Sequence, residues 1–452
     1  MRFALIVALC ALAAPLACSS SDSSGSPVIA SGDASVPPPP PSSGDDAGDD
    51  ADSGQTPNGI NISGGKSQFE AEDQIAVAPD GMLGVLYSTV GPNTEGMSYR
   101  FSSDDGKTWS TAGNIVLPQN DLYAGDPAIT TDAEGNFYAA LLGIHYDGTQ
   151  NVDYIRIYAA KAPKGSTQFG EAVEVTDTAV TKFHDHPKIF VTKAGTIVIG
   201  YLESDSETSS TGSGIAATST NGTDWTRQTL IAPPDTTFAN LFSMCEGSGA
   251  IYATFFQIGN ASYGIGIRKS VDQGATWSAT TNVSLVTEHP AGLDPRCAAN
   301  GSDVWVSYAQ TDMPAASEED LDAANSIVVA HSSDGAMTFP ERGEALDTKA
   351  TKLGCLPEFV RDDSGGLSVA YIAGDTDGDF MGSVRFTRAT SGLTFGASTV
   401  VDSPVRFIMS RSALTWLGDY FGFAAHGKTL YFAYPQNQTG KTHIYFSKAT
   451  LP

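Results

Sequence analysis

The 452-residue sequence is poor in basic residues and lacks long stretches with the apolar periodicity of a helix. Its 25 lysines and arginines stand against 51 aspartates and glutamates, which leaves a formal net charge of −26. So acidic a chain repels phosphate backbones, and we expect no nucleic-acid partner. The missing helical period excludes a mainly helical fold.

Cysteine is also scarce, with five residues in all. The three that follow the N-terminal segment, Cys245, Cys297 and Cys355, are too scattered for a Cys-x-x-Cys metal site. An odd number of cysteines allows at most one disulfide among them.

The N-terminus reads MRFALIVALCALAAPLACSS, in which the apolar run after Arg2 is too short to span a bilayer. This pattern predicts a secretory signal peptide over residues 1–17. Its end, PLAC, resembles the lipobox of bacterial lipoproteins, which implies a lipid anchor in the bilayer at Cys18; cleavage without lipid is the alternative. Ser19 then implies sorting to the outer membrane, surface-exposed or periplasmic.

Residues 18–59 are rich in serine, proline and aspartate and contain almost no large apolar residue. Such a segment cannot bury enough surface to fold, so we expect a disordered acidic stalk. The stalk would hold residues 60–452 away from the membrane.

Two repeats run through residues 60–452. The octamer SSDDGKTW at 102–109 recurs as SVDQGATW at 270–277, with looser copies elsewhere. A second pattern, two apolar strands around a glycine turn, occurs seven times at intervals of about 52–62 residues. Three to four strands per interval are typical of a propeller blade. We predict an all-β propeller of seven four-stranded blades, six being the alternative, closed by a strand near residue 60.

The octamer resembles the Asp box, or BNR repeat, of the sialidase superfamily, and the resemblance covers nearly all of residues 60–452. It implies that each box joins the third and fourth strands of a blade, on the face away from the ligand. We expect the box residues to be structural, their polar groups and glycines shaping the turn and their aromatic rings packing it. They are Ser102, Asp104, Gly106, Trp109, Asp272, Gly274, Trp277, Asp334 and Phe339.

The opposite face should then carry the function, because loops on a rigid scaffold are the usual binding sites. Several inner strands begin with charged or aromatic residues that could face the ring centre. The catalytic candidates are Tyr420, Asp126, Asp185, Asp294 and Asp419, and the ligand-binding candidates are Arg296, Arg411, His184 and His186.

Sialidases hold their substrate carboxylate with three arginines and use a tyrosine nucleophile, a glutamate partner and an aspartate acid. By resemblance, Tyr420 falls on the nucleophile position. Residues 71–73, Ala-Glu-Asp, stand where the first-blade arginine belongs, and no glutamate partner is identifiable. The sequence therefore favours a propeller that binds a glycan or protein ligand. The alternatives are an exo-acting sialidase-type glycoside hydrolase with an altered site, and a structural envelope protein.

Two segments could hold a metal, although no cofactor is expected to be required. His-Asp-His-Pro at 184–187 offers two imidazoles and a carboxylate, or else hydrogen bonds at a strand end. Asp375, Asp377 and Asp379 alternate as Ca²⁺ ligands do, or else form a solvated loop. Cys245 and Cys297 occupy equivalent places in adjacent units and are the predicted disulfide; buried thiols are the alternative.

Overall fold

The computed structural model describes most of the repeat region and none of residues 1–58. The described residues are 59–64, 69–90, 96–118, 121, 125–146, 152–177, 182–206, 209, 211–233, 235, 238–258, 263–291, 294–312, 323–374, 379–408, 418–437 and 441–451. They form seven antiparallel sheets and no helix. The predicted all-β propeller with seven four-stranded blades is confirmed, and the six-bladed alternative is wrong. In this part of the chain, no helix has the length and hydropathy needed to cross a membrane.

The ring is closed by the two ends of the described chain. Strand β1 (Ile60–Asn61) pairs with the last strand, β30 (His443–Thr450), Ile60 opposite Phe446. The prediction of a closing strand near residue 60 is thus confirmed. Closure of this kind removes an exposed sheet edge at the seam.

Strands are numbered along the chain, and those of each blade run from the ring centre outwards. The first blade contains β2 (Phe69–Val77), β3 (Leu83–Val90), β4 (Gly96–Ser102) and β5 (Gly113–Asn114). The second contains β6 (Ala128–Thr131), β7 (Phe137–Tyr146), β8 (Val152–Ala162) and β9 (Val173–Glu174). The third contains β10 (Phe183–Val191), β11 (Ile197–Ser204), β12 (Gly212–Ser219) and β13 (Thr226–Ile231).

The remaining blades follow the same order. The fourth contains β14 (Phe238–Gly247), β15 (Ala250–Ile258), β16 (Tyr263–Ser270) and β17 (Thr281–Asn282). The fifth contains β18 (Arg296–Asn300), β19 (Asp303–Gln310), β21 (Ser326–Ser332) and β22 (Glu341–Glu344). The sixth contains β23 (Leu353–Arg361), β24 (Leu367–Gly374), β25 (Asp379–Ser391) and β27 (Thr399–Ile408), with β20 (Ala323–Ala324) and β26 (Thr394–Phe395) at its margins. The seventh contains β28 (Gly422–His426), β29 (Thr429–Gln436), β30 and β1.

The core lies in layers between neighbouring blades. Second strands such as β11, Ile-Val-Ile-Gly-Tyr-Leu, are apolar on both faces, because each blade is covered on both sides by its neighbours. Their fully buried tyrosines, Tyr87, Tyr201, Tyr308, Tyr371 and Tyr434, dominate these layers. Each layer depends on two blades at once, so the ring is stabilised as a whole.

The octamers form the turns between third and fourth strands. In residues 102–109, the Asp104 carboxylate accepts hydrogen bonds from Thr108 N, at 2.9 Å, and Thr108 Oγ1, at 2.7 Å. Gly106 adopts φ 79°, and its amide donates to Ser102 Oγ at 3.0 Å. Asp272 in 270–277 and Asp334 in 332–339 accept from Thr276 and Thr338 in the same way.

Each of these turns also packs against the preceding blade. The Trp109 ring lies 5.1 Å from that of Phe446, on the seventh blade. Gln273, in the fourth-blade turn, accepts from Thr192 Oγ1 of the third blade at 3.1 Å. The polar groups of the octamers are therefore engaged in shaping turns and joining blades.

Candidate functional site

In five blades, a residue with a left-handed backbone conformation (positive φ) lies within or just before the inner strand. Each of these residues is nine positions before a glycine that also has positive φ. The pairs are Glu72 and Gly81, Asp126 and Gly135, His186 and Gly195, Leu356 and Gly365, and Gly418 and Gly427. Three of these residues sit at bulges in β2, β10 and β23, where the strand pairing shifts register. A left-handed conformation costs a non-glycine residue about 1–2 kcal/mol, and such strain is often found at functional sites.

The first three of these positions bring ionisable groups from three consecutive blades together near the ring centre. Glu72, Asp126, Asp185 and His186, which we call the central acidic cluster, are all buried. The backbone amide of His186 donates to Asp126 Oδ2 at 3.1 Å and to Asp185 Oδ1 at 3.0 Å. Its imidazole Nδ1 lies 3.8 Å from Asp126 Oδ2, and its Nε2 lies 3.7 Å from Asp185 Oδ2.

The pKa values of this cluster are displaced by burial and by mutual charge. Burial, then the charges of Asp126 and Asp419, raise the pKa of Glu72 well above its usual range. Burial likewise raises the pKa of Asp185, with the His186 charge opposing it. Burial lowers the pKa of His186, but the charges of Asp185 and Asp126 outweigh it and raise that pKa to about 9. The cluster therefore holds carboxyl groups that resist ionisation beside an imidazole that keeps its proton.

A second group, the central ion-pair network, consists of Lys188, Asp294, Arg296 and Glu358. Lys188 Nζ lies 2.7 Å and Arg296 Nη1 2.9 Å from Asp294 Oδ2. Arg296 also donates to both oxygens of Glu358, at 2.6 and 2.5 Å. Burial opposes ionisation of Asp294, yet its two cationic partners lower its pKa to about 2. Glu358 has one such partner, and burial keeps its pKa raised.

Tyr420 lies between these two groups and is 1% exposed. Lys188 Nζ stands 3.6 Å from the centroid of its ring. Its hydroxyl is buried and has no hydrogen-bond partner among the described residues. Burial, then the charges of Asp126 and Glu72, raise its pKa well above the usual range. A nucleophilic hydroxyl needs a base within hydrogen-bond reach, and this one has none in the described part of the chain.

The other sequence candidates fall outside these groups or outside the described residues. His184 Nδ1 donates to Ile155 O at 2.6 Å, and its Nε2 lies 3.3 Å from Glu203 Oε2. Its imidazole contacts β8 and β11 and not the central acidic cluster. The register shift of β10 between Asp185 and Lys188 interrupts the alternation that would otherwise place His184 and His186 on one face. Asp419 is half-buried, and its charge acts on Glu72. The remaining candidates are not described, or have no described side chain: Cys18, Asp375, Asp377, Asp379 and Arg411.

Cys245 and Cys297 form a disulfide with a Cα–Cα distance of 5.8 Å. It joins β14 and β18, the inner strands of the fourth and fifth blades. Cys355 is a buried free thiol.

A groove of about 430 Å³ lies between the fifth and sixth blades, beside Trp305, His331 and Arg388. The His331 ring stacks on Trp305 at 5.0 Å, and the Arg361 guanidinium lies 5.7 Å from the Trp305 ring. The indole is thus flanked by two side chains of the protein. We take the ring centre, where buried ionisable groups of several blades meet, as the stronger candidate site.

No protein-family model and no curated protein matches this chain. Several solved structures do match it. The phage phi92 endosialidase matches with a TM-score of 0.52 at 10% identity, over 88% of this chain and 69% of that one. The Hadza microbial sialidase Hz136 matches with a TM-score of 0.50 at 13% identity, over 88% and 69%. The chain therefore shares the β-propeller fold of these two proteins. A protein of unknown function from Dyadobacter fermentans DSM 18053 also matches, with a TM-score of 0.48 at 13% identity, over 87% and 98%.

The ring centre departs from what the sialidase resemblance predicts. Glu72 lies in the central acidic cluster, at the position where that resemblance predicts an arginine. The guanidinium of Arg296 is held by Asp294 and Glu358 on either side. The described residues thus provide no uncommitted arginine at the centre.

Sequence reasoning missed three residues of this propeller's centre, namely Glu72, Lys188 and Glu358. A spacing could have found Lys188 and Glu358. Lys188, Arg296 and Glu358 each follow a proline within or just before an inner strand, and Lys188 and Glu358 lie two positions after a left-handed residue. Tyr420, two positions after Gly418, occupies the same place in the seventh blade. Proline fits here because the bulged backbone makes no ladder hydrogen bond.

Proposed function

We propose that this chain is a cell-envelope lipoprotein whose propeller binds a neutral glycan at the ring centre without hydrolysing sialosides. The observation that carries the proposal is the contrast between two features of the centre. Two carboxylates, Asp126 and Asp185, converge on one backbone amide, whereas the Tyr420 hydroxyl has no hydrogen-bond partner among the described residues. The first feature is an acceptor-rich floor for a ligand, and the second argues against a tyrosine nucleophile.

Charge supports a neutral glycan as the ligand class. Carboxyl oxygens accept hydrogen bonds from sugar hydroxyls, and a protonated imidazole donates hydrogen bonds to sugar oxygens. Glu72 Oε1 and His186 Nδ1 are buried polar atoms of these two kinds with no partner in the described region. The excess of carboxylates repels an anionic sugar, and the cations of the central ion-pair network are already engaged.

A glycan array comparing neutral and sialylated oligosaccharides tests this proposal. We expect the full chain to bind neutral glycans and Asp126→Asn to weaken that binding about tenfold or more, as loss of a charged hydrogen bond does. Asp272→Asn is the matched control, because Asp272 lies in the turn between the third and fourth strands of its blade. We expect this variant to bind glycans like wild type. Binding restricted to sialylated glycans, or to proteins, would contradict the proposal.

Anchoring rests on the sequence and has its own test. With Cys18 as the lipidated residue, metabolic labelling with an alkyne fatty acid should mark the wild-type chain and leave Cys18→Ala unlabelled. The wild-type chain should fractionate with the outer membrane and Cys18→Ala with soluble proteins. Equal labelling of the two chains would contradict lipidation at this residue.

One observation favours a glycoside hydrolase as the second candidate. Asp185 and Glu72 are carboxyl groups whose pKa values are raised by burial, and an acid that is protonated at neutral pH can protonate a glycosidic oxygen. A panel of fluorogenic glycosides, neutral and sialylated, separates the two functions. Turnover that is abolished by Asp185→Asn would establish the enzyme.

A further inference from the structure

The two groups at the ring centre differ in charge balance. In the central ion-pair network, two cationic side chains face two carboxylates. In the central acidic cluster, three carboxylates surround one imidazole, that of His186. Buried carboxylates need a cation or a proton, so the cluster is short of positive charge.

The cluster also contains buried polar atoms without partners. His186 Nδ1 has no hydrogen-bond partner among the described residues, although it points at Asp126 Oδ2, 3.8 Å away. Glu72 Oε1 is buried and unpartnered in the same part of the molecule. A separation of 3.8 Å is too long for a hydrogen bond. It matches the roughly 3–4 Å between two ligands that are each about 2.0–2.6 Å from one ion.

We propose that Asp126, Asp185 and His186 bind one divalent first-row transition-metal ion at the centre of the ring. Their candidate ligand atoms all lie within 4.8 Å of one another, and all three residues are buried. An imidazole together with carboxylates suits Mn²⁺ or Zn²⁺, whereas Ca²⁺ and Mg²⁺ prefer ligand sets made of oxygen alone. This site goes beyond the proposed glycan binding and stands whether or not a glycan binds.

Calorimetric titration of the full chain, stripped with EDTA, tests the proposal with Mn²⁺ and Zn²⁺ as probes and Ca²⁺ and Mg²⁺ as comparisons. We expect one Mn²⁺ or Zn²⁺ ion per chain. His186→Gln should weaken binding by about 100-fold or more, because a direct ligand matters at least as much as its supporting groups. His184→Gln is the matched control, two residues away on β10 and bonded elsewhere, and should stay within about threefold of wild type.

Pulsed electron paramagnetic resonance of the Mn²⁺-loaded wild-type chain gives a readout that does not depend on the folding of a variant. Hyperfine coupling of the bound Mn²⁺ to one imidazole nitrogen would support the proposed metal site. Absence of that coupling, no binding of Mn²⁺ or Zn²⁺, binding of Ca²⁺ or Mg²⁺ alone, or equal affinities of the His186→Gln and His184→Gln chains would each overturn it. None of these measurements uses a glycan, so a failure here is distinguishable from a failure of the proposed function.

Discussion

Lys188 Nζ lies 3.6 Å from the centroid of the Tyr420 ring, so an ammonium group covers the residue that the sialidase resemblance makes the nucleophile. The same ammonium lies 2.7 Å from Asp294 Oδ2. The Tyr420 ring thus makes a cation–π contact at the ring centre. Its hydroxyl has no hydrogen-bond partner among the described residues. This arrangement separates the tyrosine ring, which has a structural role, from the hydroxyl that sialidase chemistry would need.

Tyr420→Phe should therefore leave stability within about 0.5 kcal/mol of wild type, because it removes a buried hydroxyl without a bond. Tyr434→Phe is the matched control, since the equally buried Tyr434 hydroxyl donates to Asp402 Oδ2 and contacts Ser447 Oγ. That variant should lose about 1–3 kcal/mol. Urea denaturation measures both, and a large loss in Tyr420→Phe would show that its hydroxyl is bonded.

Asp294→Asn should destabilise the protein at neutral pH by about 2–3 kcal/mol. Asp294 has a folded pKa of about 2 because Lys188 and Arg296 outweigh its burial, against an unfolded value of about 3.9. A lowered folded pKa contributes stability above the unfolded pKa, and that contribution is lost as pH falls from about 4 towards 2. The difference between variant and wild type should therefore shrink over that window in denaturant titrations at several pH values. A difference that is the same at pH 7 and pH 3 would contradict the assignment.

Reduction of the Cys245–Cys297 disulfide should lower the melting temperature. The bond closes a loop with a sequence separation of 52, for which chain entropy gives a stabilisation of about 4 kcal/mol. For the wild-type chain, scanning calorimetry traces recorded with and without reductant should give different melting temperatures. For the Cys245→Ala/Cys297→Ala chain, the two traces should coincide. Coincident traces of the wild-type chain would show that the bond does not contribute.

Gly106→Ala should be more damaging than Gly81→Ala, although both glycines are left-handed, with φ of 79° and 87°. A Cβ at Gly106 would stand 2.1 Å from Phe446 Cε1, at the seam between the first and seventh blades, whereas Gly81 has open space. Gly81→Ala should cost about 1–2 kcal/mol from backbone strain alone. Gly106→Ala should add about 1–3 kcal/mol from overpacking. Equal denaturation midpoints for the two variants would count against tight packing at this seam.

The blade count and the closing strand could be predicted because they depend on local repeats. The octamer at 102–109 and the glycine turns recur at regular intervals, and each marks one hairpin. The blade boundaries follow from that spacing alone.

The composition of the ring centre could be predicted only in part. Asp126, Asp185, Asp294, Arg296 and Tyr420 stand out in the sequence because they begin strands. From the sequence, Glu72 is recognisable only as a residue that stands where an arginine is expected. Its place in the central acidic cluster depends on a bulge in β2 that brings it near residues of other blades. Pairing between neighbouring blades, as in Arg296 with Glu358, 62 positions apart, is a tertiary property that no local pattern encodes.

We propose that the ring centre binds a neutral glycan and does not hydrolyse it. The most direct test is to incubate the full chain with the best neutral oligosaccharide from the array, measure binding, and then recover the oligosaccharide for mass spectrometry. We predict saturable binding that Asp185→Asn weakens, with the oligosaccharide recovered intact. Shortened product, or undiminished binding by Asp185→Asn, would contradict it.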